Sequence, residues 1–334
     1  MEKWSLRIAV TVLALAIAIR LGSSGVISKA MELLRSPEAV SAIMLLEAGR
    51  LTYPQTPQPT QPEVIPDPTQ PTEITEPAPT QPVALPAFSP EDASLVRIKN
   101  VCGLTADVPT MLQSPLTWQL QSDQPTVLIV HSHGSESYEN AENYKESGYY
   151  RTLDERYNMV SVGNRVAQLL EAGGIRVLHD TTLHDYPSYN DSYANSRTSV
   201  KEYLAQYPSI RLVLDLHRDA ARDDDGNQVA LTATVDGQKV AKLMLVVGTD
   251  VRLKHPNWPE NMSLAVKLHA QLEKNYPGIC RPISFRNQRF NQDLSTGALI
   301  IEVGAAGNSR QEALRSAELL ASTILQLSHG TEAS

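Results

Sequence analysis

Two histidines and a glutamate lie within six residues of one another, directly after an apolar stretch. The sequence reads PTVLIVHSHGSE at 125–136, so His131, His133 and Glu136 follow a short run of aliphatic residues. Imidazole and carboxylate groups hold catalytic zinc, which takes three protein ligands and keeps a fourth position open. The spacing of these residues therefore indicates a metal site at the end of a buried strand.

Two further apolar runs carry residues of the same kind. LVLDLHRD at 212–219 ends in Asp215, His217, Arg218 and Asp219, and IIEVG at 300–304 places Glu302 inside an apolar run. A carboxylate is unusual there, because burying it without a partner is costly. Hydrolysis of an amide at a zinc site needs a carboxylate that moves a proton from water to the leaving nitrogen. We assign this role of general base to Glu302.

The residue types suggest a set of three ligands, of which the third is undecided. His133 and His217 supply the two imidazoles, and Glu136 supplies the carboxylate. In an extended chain His131 and His133 point to the same side. His131 could therefore replace Glu136 as the third ligand or support the ligands from outside, and the sequence leaves both alternatives open.

Two competing sites have weaker support in the sequence. The three serines of 132–137 lie beside the histidines, as a serine hydrolase would require, but none is part of a G-x-S-x-G turn. A second group of metal ligands could form from Asp180, His184 and Asp185, although a polar loop after a strand is the commoner reading.

Substrate contacts are predicted for five residues around the strand ends: Arg218, Asp219, Tyr193, Arg197 and Asn308. Tyr189 could line the same groove.

Apolar strands alternate with helical segments along the chain from residue 125 onward. We predict strands at 126–130, 175–180, 210–217 and 298–304, helices at 158–174, 194–206, 260–275 and 309–328, and a hairpin at 228–248 that turns at Asp236 and Gly237. This alternation indicates an α/β fold with a mostly parallel sheet and helices on both faces. Ligands bind beyond the carboxyl ends of such strands, which is where the polar residues lie.

The N-terminal third of the chain has a different composition. We divide the 334 residues into a signal or membrane anchor at 1–25, a short helical juxtamembrane segment at 26–52, a Pro/Thr/Gln-rich disordered linker at 53–92, a small β lead-in at 93–124 and a catalytic domain at 125–330. The apolar run at 8–19 is short for a membrane span and typical of a signal peptide. Cleaved signal and single-pass anchor both remain open, and either sends the domain across a membrane on a polar tether.

Charge and cysteine content exclude other classes of function. The net charge of -8 and the pI near 5.5 argue against nucleic acid as a partner, since nucleic-acid-binding proteins present basic surfaces. The two cysteines, Cys102 and Cys280, fit no metal motif. They are either free or joined in one disulfide.

Several motifs together resemble one known family. VLIVHSHGSESY, SYNDSYANSR, LVLDLHRDA and IIEVGAAGN, in this order over roughly 94–325, resemble the stage II sporulation protein P family of spore-forming Firmicutes. The chain is also similar to the wider zinc N-acetylmuramoyl-L-alanine amidase superfamily. The resemblance implies an amidase-like fold, His133 and His217 as ligands, Glu302 as the catalytic residue and Asn308 at the family's asparagine position.

The resemblance offers a second candidate for the carboxylate ligand. In the superfamily this glutamate usually lies at the start of the first helix, where the present chain reads DERYNMVSVG at 154–163. Glu155 is thus an alternative to Glu136.

The resemblance also implies a function. Proteins of this family are membrane-tethered hydrolases with one catalytic zinc ion. They degrade septal peptidoglycan during engulfment of the forespore, cutting the muramoyl–L-alanine amide and also the peptide cross-link. They work with stage II sporulation proteins D and M outside the cytoplasmic membrane, and a cleaved N-terminus would make the chain secreted. The alternatives are a catalytically silent or partner-activated wall-binding scaffold of the same fold and a zinc hydrolase of another amide, such as a carboxypeptidase.

Overall fold

The computed structural model describes residues 88–115, 119–139 and 150–329, all within one compact unit of the chain. The predicted signal or anchor, the juxtamembrane segment and most of the linker lie outside these residues. Within the described ranges, no helix is both long enough and apolar enough to cross a membrane.

The described residues form strands and helices in alternation. The strands are β1 (Ile98–Asn100), β2 (Val127–Val130), β3 (Val177–His179), β4 (Leu212–Asp219), β5 (Thr232–Val235), β6 (Gln238–Ala241), β7 (Leu243–Val247), β8 (Ile283–Phe285) and β9 (Ala298–Ala305). The helices are α1 (Val108–Gln113), α2 (Met159–Ala172), α3 (Ser192–Gln206), α4 (Trp258–Asn275) and α5 (Arg310–His329). Short 3₁₀ helices span Pro90–Leu95 and Gln292–Leu294.

Seven strands form one mostly parallel sheet in the order β1-β8-β7-β9-β4-β2-β3. Every neighbouring pair is parallel except β7 and β9, which are antiparallel. The predicted α/β fold is confirmed. Strands β3, β2, β4 and β9 share one direction, so their carboxyl ends meet at the same edge of the sheet.

Helices cover both faces of the sheet. Val127 and Ile129 of β2 belong to a large apolar cluster with side chains of α2, α4 and α5. Leu128 and Val130 belong to a smaller cluster with Val200 of α3. Successive strand residues point to opposite faces, so the uninterrupted apolar run of β2 reflects burial on both sides.

The sequence signals for helix ends and turns match the structure. Helix α2 begins after Asn158, whose side chain accepts a hydrogen bond from the Val160 backbone N–H. It ends at Gly173, as the Gly-Gly pair predicts. The predicted hairpin at 228–248 is shorter in the structure, because residues 243–247 form β7 of the main sheet. Strands β5 and β6 form the hairpin, and Asp236 and Gly237 at its turn have positive φ angles, 49° and 75°. Such a two-residue turn matches the twist of the paired strands.

The segment before β2 extends the main sheet. Residues 93–124 contain one strand and one helix, and β1 pairs in parallel with β8. Helix α1 is fixed to α4 by Lys267, whose Nζ donates to the carbonyl oxygens of Met111 and Leu112. Both cysteines are free.

Candidate active site

The predicted ligand His217 and the predicted base Glu302 lie side by side. They are register partners on the parallel neighbours β4 and β9. His217 lies an even number of residues after Val213 in β4, and Glu302 an even number after Ala298 in β9, so each shares a face of the sheet with that residue. Val213 and Ala298 belong to the smaller apolar cluster, and both side chains therefore face α3. The sheet therefore places an imidazole next to a carboxylate near the carboxyl ends of these two strands.

A tight turn after β2 brings the other two predicted ligands to the same place. The backbone N–H of Glu136 donates to the carbonyl of His133 at 3.2 Å. The Oε2 atom of Glu136 lies 3.6 Å from Nδ1 of His217. The ring centroids of His133 and His217 are 5.3 Å apart, and the rings are nearly perpendicular. The structure thus brings His133, Glu136 and His217 together.

Asp215 fixes the orientation of His217. The ring donates from Nε2 to Oδ1 of Asp215 at 2.8 Å, which leaves Nδ1 directed toward Glu136. Asp215 also accepts from the backbone N–H and the hydroxyl of Ser132 at 2.8 and 2.6 Å. Burial alone would lower the pKa of His217, but Asp215 and then Glu136 outweigh it and raise the pKa to about 10.

Two arginines hold Glu136. Its Oε1 receives the side chains of Arg151 at 3.3 Å and Arg218 at 3.4 Å, and its Oε2 receives the backbone N–H of Arg218 at 3.1 Å. Burial would raise the pKa of Glu136, but Arg218, followed by His217 and Arg151, outweighs burial and lowers it. Glu136 is therefore an ionised carboxylate, the form that binds a metal.

Two buried polar atoms of the site have no hydrogen-bond partner among the described residues: Nδ1 of His133 and Oε2 of Glu302. Such atoms are rare in native proteins and call for an explanation, such as a bound ion or water. Burial raises the pKa of Glu302 to about 8. The residue as a whole keeps part of its surface accessible to solvent.

The residues fit a zinc ion by their chemistry. In the part of the chain that the structure describes, no three His, Cys, Asp or Glu side chains form a ready metal-binding group. The set of two imidazoles and one carboxylate is nevertheless the donor set of catalytic zinc. The unpartnered Nδ1 of His133 and the short separation of Glu136 from His217 agree with an ion among these three side chains.

His131 is engaged elsewhere. Its Nδ1 donates to the carbonyl of Leu216 at 3.0 Å, and its Nε2 lies 2.8 Å from Nε2 of His179. It packs against α2, where a side chain at Gly163 would come within 2.6 Å of its Nε2. The expectation that His131 and His133 point to the same side is wrong, because the chain turns after β2 instead of continuing extended.

Glu155 is exposed in the turn before α2. No contact links it to His133, Glu136 or His217 among the described residues. Glu136 is therefore the carboxylate that the structure brings to the two histidines.

One predicted substrate residue lies at the site and another does not. The ring of Tyr193 packs edge-on against His133 at 5.5 Å and nearly parallel to His217 at 6.5 Å. Arg197 instead forms a two-pronged ion pair with Asp293, with both distances 2.7 Å. This pair ties α3 to the 3₁₀ helix before β9.

Arg218 also has a structural role. It is buried, and besides Glu136 it donates to the carbonyl oxygens of Ser137 at 3.0 Å and Tyr150 at 2.8 Å. The predicted contact of Arg218 with substrate is not supported, because its donors are used within the fold.

Asp219 and Asn308 are likewise occupied by protein groups. Asp219 pairs with Arg281 at 2.6 Å. The side-chain oxygen of Asn308 accepts from the backbone N–H groups of Ala305 and Leu231 at 2.9 and 3.0 Å. Asn308 therefore fixes the chain at the end of β9, and the prediction of a substrate contact is not supported for either residue.

The competing sites do not assemble. The hydroxyl of Ser132 donates to Asp215 and that of Ser135 to Asp185, and no hydrogen bond joins a serine of 132–137 to a histidine ring in the described ranges. His184 pairs with Asp180 at 3.0 Å, whereas Asp185 turns to Ser135 and to Arg151. Neither a serine triad nor a second metal group results.

Sequence reasoning named Asp215 at the end of its strand but gave it no role, and it missed Arg151. The D-x-H spacing of Asp215 and His217 could have revealed that Asp215 supports the histidine, because residues two apart in a strand share a face. Arg151 follows no motif. It reaches the site because 150–152 pairs with the turn after β2, through the bridge between Glu136 and Arg151.

The chain is similar to known proteins of one family. The model of the family described as stage II sporulation protein P matches residues 57–325. Stage II sporulation protein P of Bacillus subtilis (strain 168) is 32% identical over 220 residues, which are 63% of this chain and 52% of that protein. The chain thus spans about half the length of this curated relative.

Solved structures of similar fold include two amidases. N-acetylmuramoyl-L-alanine amidase AmiC2 of Nostoc punctiforme is 17% identical, with a TM-score of 0.37 over 61% of this chain and 97% of that one. The CwlD amidase of Clostridioides difficile, solved in complex with the GerS lipoprotein, is 13% identical, with a TM-score of 0.36 over 61% and 95%. By the match of the family model to most of its length, this chain belongs to the stage II sporulation protein P family.

Proposed function

We propose that this chain is a zinc-dependent N-acetylmuramoyl-L-alanine amidase that degrades septal peptidoglycan during sporulation. Membership of the stage II sporulation protein P family supports the cell wall as the substrate. The observation that carries the chemistry is Oε2 of Glu302, a buried carboxylate oxygen without a partner beside His217. A general base for amide hydrolysis needs this combination of an available oxygen and a neighbouring ligand.

His133, Glu136 and His217 would hold the zinc ion. Zinc bound there would supply Lewis acidity toward the amide carbonyl and lower the pKa of water. Asp215 supports the site by keeping the His217 ring in one orientation, and Arg218 and Arg151 do so by keeping Glu136 ionised and in place. Such supporting partners decide how well a ligand is presented to its metal.

Glu302 would move the proton. It takes a proton from the attacking water, and it returns a proton to the amide nitrogen as the bond between the lactyl carbonyl carbon and that nitrogen breaks. The products are a muramic acid carboxyl group and a peptide with a free L-alanine amino group. In the metal-free protein burial raises the pKa of Glu302 to about 8, and a zinc ion bound nearby would lower that pKa toward neutral pH, where a carboxylate can both accept and return a proton.

The remaining assignments extend the proposal beyond the described residues. Residues 1–25 anchor the chain or direct its export, and the part of 53–92 that precedes residue 88 tethers the domain on the outer side of the cell membrane. Cleavage of the peptide cross-link by the same site, and action together with stage II sporulation proteins D and M, are part of the same proposal.

Product analysis tests the proposal. The purified full-length chain is incubated with peptidoglycan sacculi, with and without a zinc chelator, and the products are identified by mass spectrometry. We expect chelator-sensitive release of peptides with a free L-alanine amino terminus. Bound zinc without any products, in the presence and absence of protein D, would instead identify a wall-binding scaffold. Released products that resist the chelator would contradict the zinc mechanism.

A further inference from the structure

His133 differs from His217 in how its ring is held. His217 is fixed by a hydrogen bond to Asp215. Neither ring nitrogen of His133 makes a hydrogen bond to any described residue. Metal-binding histidines usually have their second nitrogen fixed by an acceptor. Something other than a hydrogen bond must therefore orient this ring.

Aromatic contacts surround His133 instead. Tyr189 stacks on its face, with the ring centroids 4.4 Å apart and the planes 11° from parallel. Tyr193 and His217 both meet it edge-on, at 5.5 and 5.3 Å. The ring stacked on the face of His133 and the two rings that meet it edge-on restrict rotation of the imidazole, as a hydrogen bond to a ring nitrogen would do.

Tyr189 is itself held by a residue of the site. The guanidinium carbon of Arg151 lies 4.5 Å from the centroid of the Tyr189 ring, a distance typical of a cation–π contact. Arg151 also binds Glu136 at 3.3 Å and Asp185 at 2.7 Å. Tyr189 thus contacts both Arg151, which holds Glu136, and the proposed ligand His133.

Burial in the core does not explain the position of Tyr189, because the residue is 48% exposed. Its ring is nevertheless placed against two residues of the site. We propose that Tyr189 is a positioning residue that sets the orientation of the His133 ring for zinc by stacking on it. This inference rests on the proposed zinc site. It adds that His133 is held by an aromatic ring, whereas His217 is held by a carboxylate.

Zinc affinity tests the inference. Full-length wild type, Tyr189→Ala, Tyr189→Phe and Tyr186→Ala are freed of metal and titrated with zinc against a chromophoric competitor. Tyr186 is the matched control, because it lies in the same loop and is 43% exposed but makes no ring contact with His133. Tyr189→Ala should weaken zinc binding by about 10-fold or more, the scale seen when the support of a ligand is lost. Tyr189→Phe and Tyr186→Ala should bind zinc as the wild type does.

A second readout separates positioning from folding. Without metal, thermal unfolding of Tyr189→Ala should match the wild type, since the ring is exposed. The absorption spectrum of the cobalt-substituted variant should differ from that of cobalt-substituted wild type, because one ligand is no longer held in place.

Other outcomes would overturn the inference. Unchanged zinc affinity in Tyr189→Ala would do so, and so would equal losses in Tyr189→Ala and Tyr186→Ala. A loss in Tyr189→Phe as large as in Tyr189→Ala would assign the effect to the hydroxyl and not to the stacked ring. If the wild type binds no zinc, the metal site and this inference both fail. If it binds zinc with the expected variant pattern but releases no peptide, positioning by Tyr189 stands and the amidase function fails.

Discussion

His217 and Glu302 are register partners on adjacent parallel strands, although far apart in the sequence. This pairing places the buried Oε2 atom of Glu302 on the same face of the sheet as the His217 ring. The Nδ1 atom of that ring faces Glu136. The proposed ligand and the proposed base are therefore positioned by the backbone hydrogen bonds between two central strands. A site built on such strands is more rigid than one built on loops.

Replacing His217 should remove the metal. His217→Ala deletes one of the two imidazoles, and the remaining His133 and Glu136 give zinc too few protein ligands. We expect zinc content, measured by mass spectrometry of the metal in the purified protein, to fall to the level of a chelator-treated sample. The control is His179→Ala, which removes an imidazole that contacts His131 and not the proposed ligands. Full zinc occupancy in His217→Ala would eliminate His217 as a ligand.

The stability of the zinc-free protein should fall with rising pH because of Glu302. Its folded pKa is about 8 against an ordinary value of 4.5, so between these pH values the folded state keeps a proton that the unfolded state has lost. Stability from this group is therefore complete below pH 4.5 and is lost as the pH rises toward 8. In Glu302→Gln this contribution to the pH dependence is absent.

Urea unfolding with a chelator at pH 5 and pH 8.5 measures the effect. The wild type should lose on the order of a few kcal/mol more than Glu302→Gln between the two pH values, since each pKa unit corresponds to about 1.4 kcal/mol. Parallel pH dependence of the two proteins would show that the Glu302 carboxyl is not protonated in the fold.

Arg218 should contribute strongly to stability. Arg218→Met leaves Glu136 buried without its main cation and takes a donor from the carbonyls of Ser137 and Tyr150. Breaking a buried ion pair from one side typically costs about 3–5 kcal/mol. Denaturant unfolding of the zinc-free protein checks this. In Arg156→Ala, which removes an exposed partner of Asp154, stability should be essentially unchanged. Equal, small effects of both substitutions would show that Arg218 does not hold Glu136 in place.

The main elements of the fold could be predicted because each has a local signal. The uninterrupted apolar run of β2, the Asn158 start and the Gly173 end of α2, and the Asp236-Gly237 turn all depend on neighbouring residues. The reversal of β7 relative to β9 has no such signal. It depends on pairing with β8 and β9, which lie on either side of β7 and come later in the chain.

The arrangement of the side chains at the site could be predicted only in part, for a similar reason. Strand ends predicted that His133, His217 and Glu302 meet, because parallel strands bring their carboxyl ends to one edge. The side to which His131 points depended on where the extended chain turns, and the pattern of residue types does not reveal that position. Polar residues such as Arg197 and Asn308 resembled substrate contacts in the sequence, but their partners, Asp293 and Leu231, come from distant segments.

The proposed mechanism is tested most directly by comparing wild type with Glu302→Gln on peptidoglycan, with zinc content measured in the same samples. We expect equal zinc content and a rate of peptide release at least about 100-fold lower in the variant, the usual scale for loss of a general base. Equal zinc content with an undiminished rate would contradict the role of Glu302 and, with it, the mechanism proposed for this site.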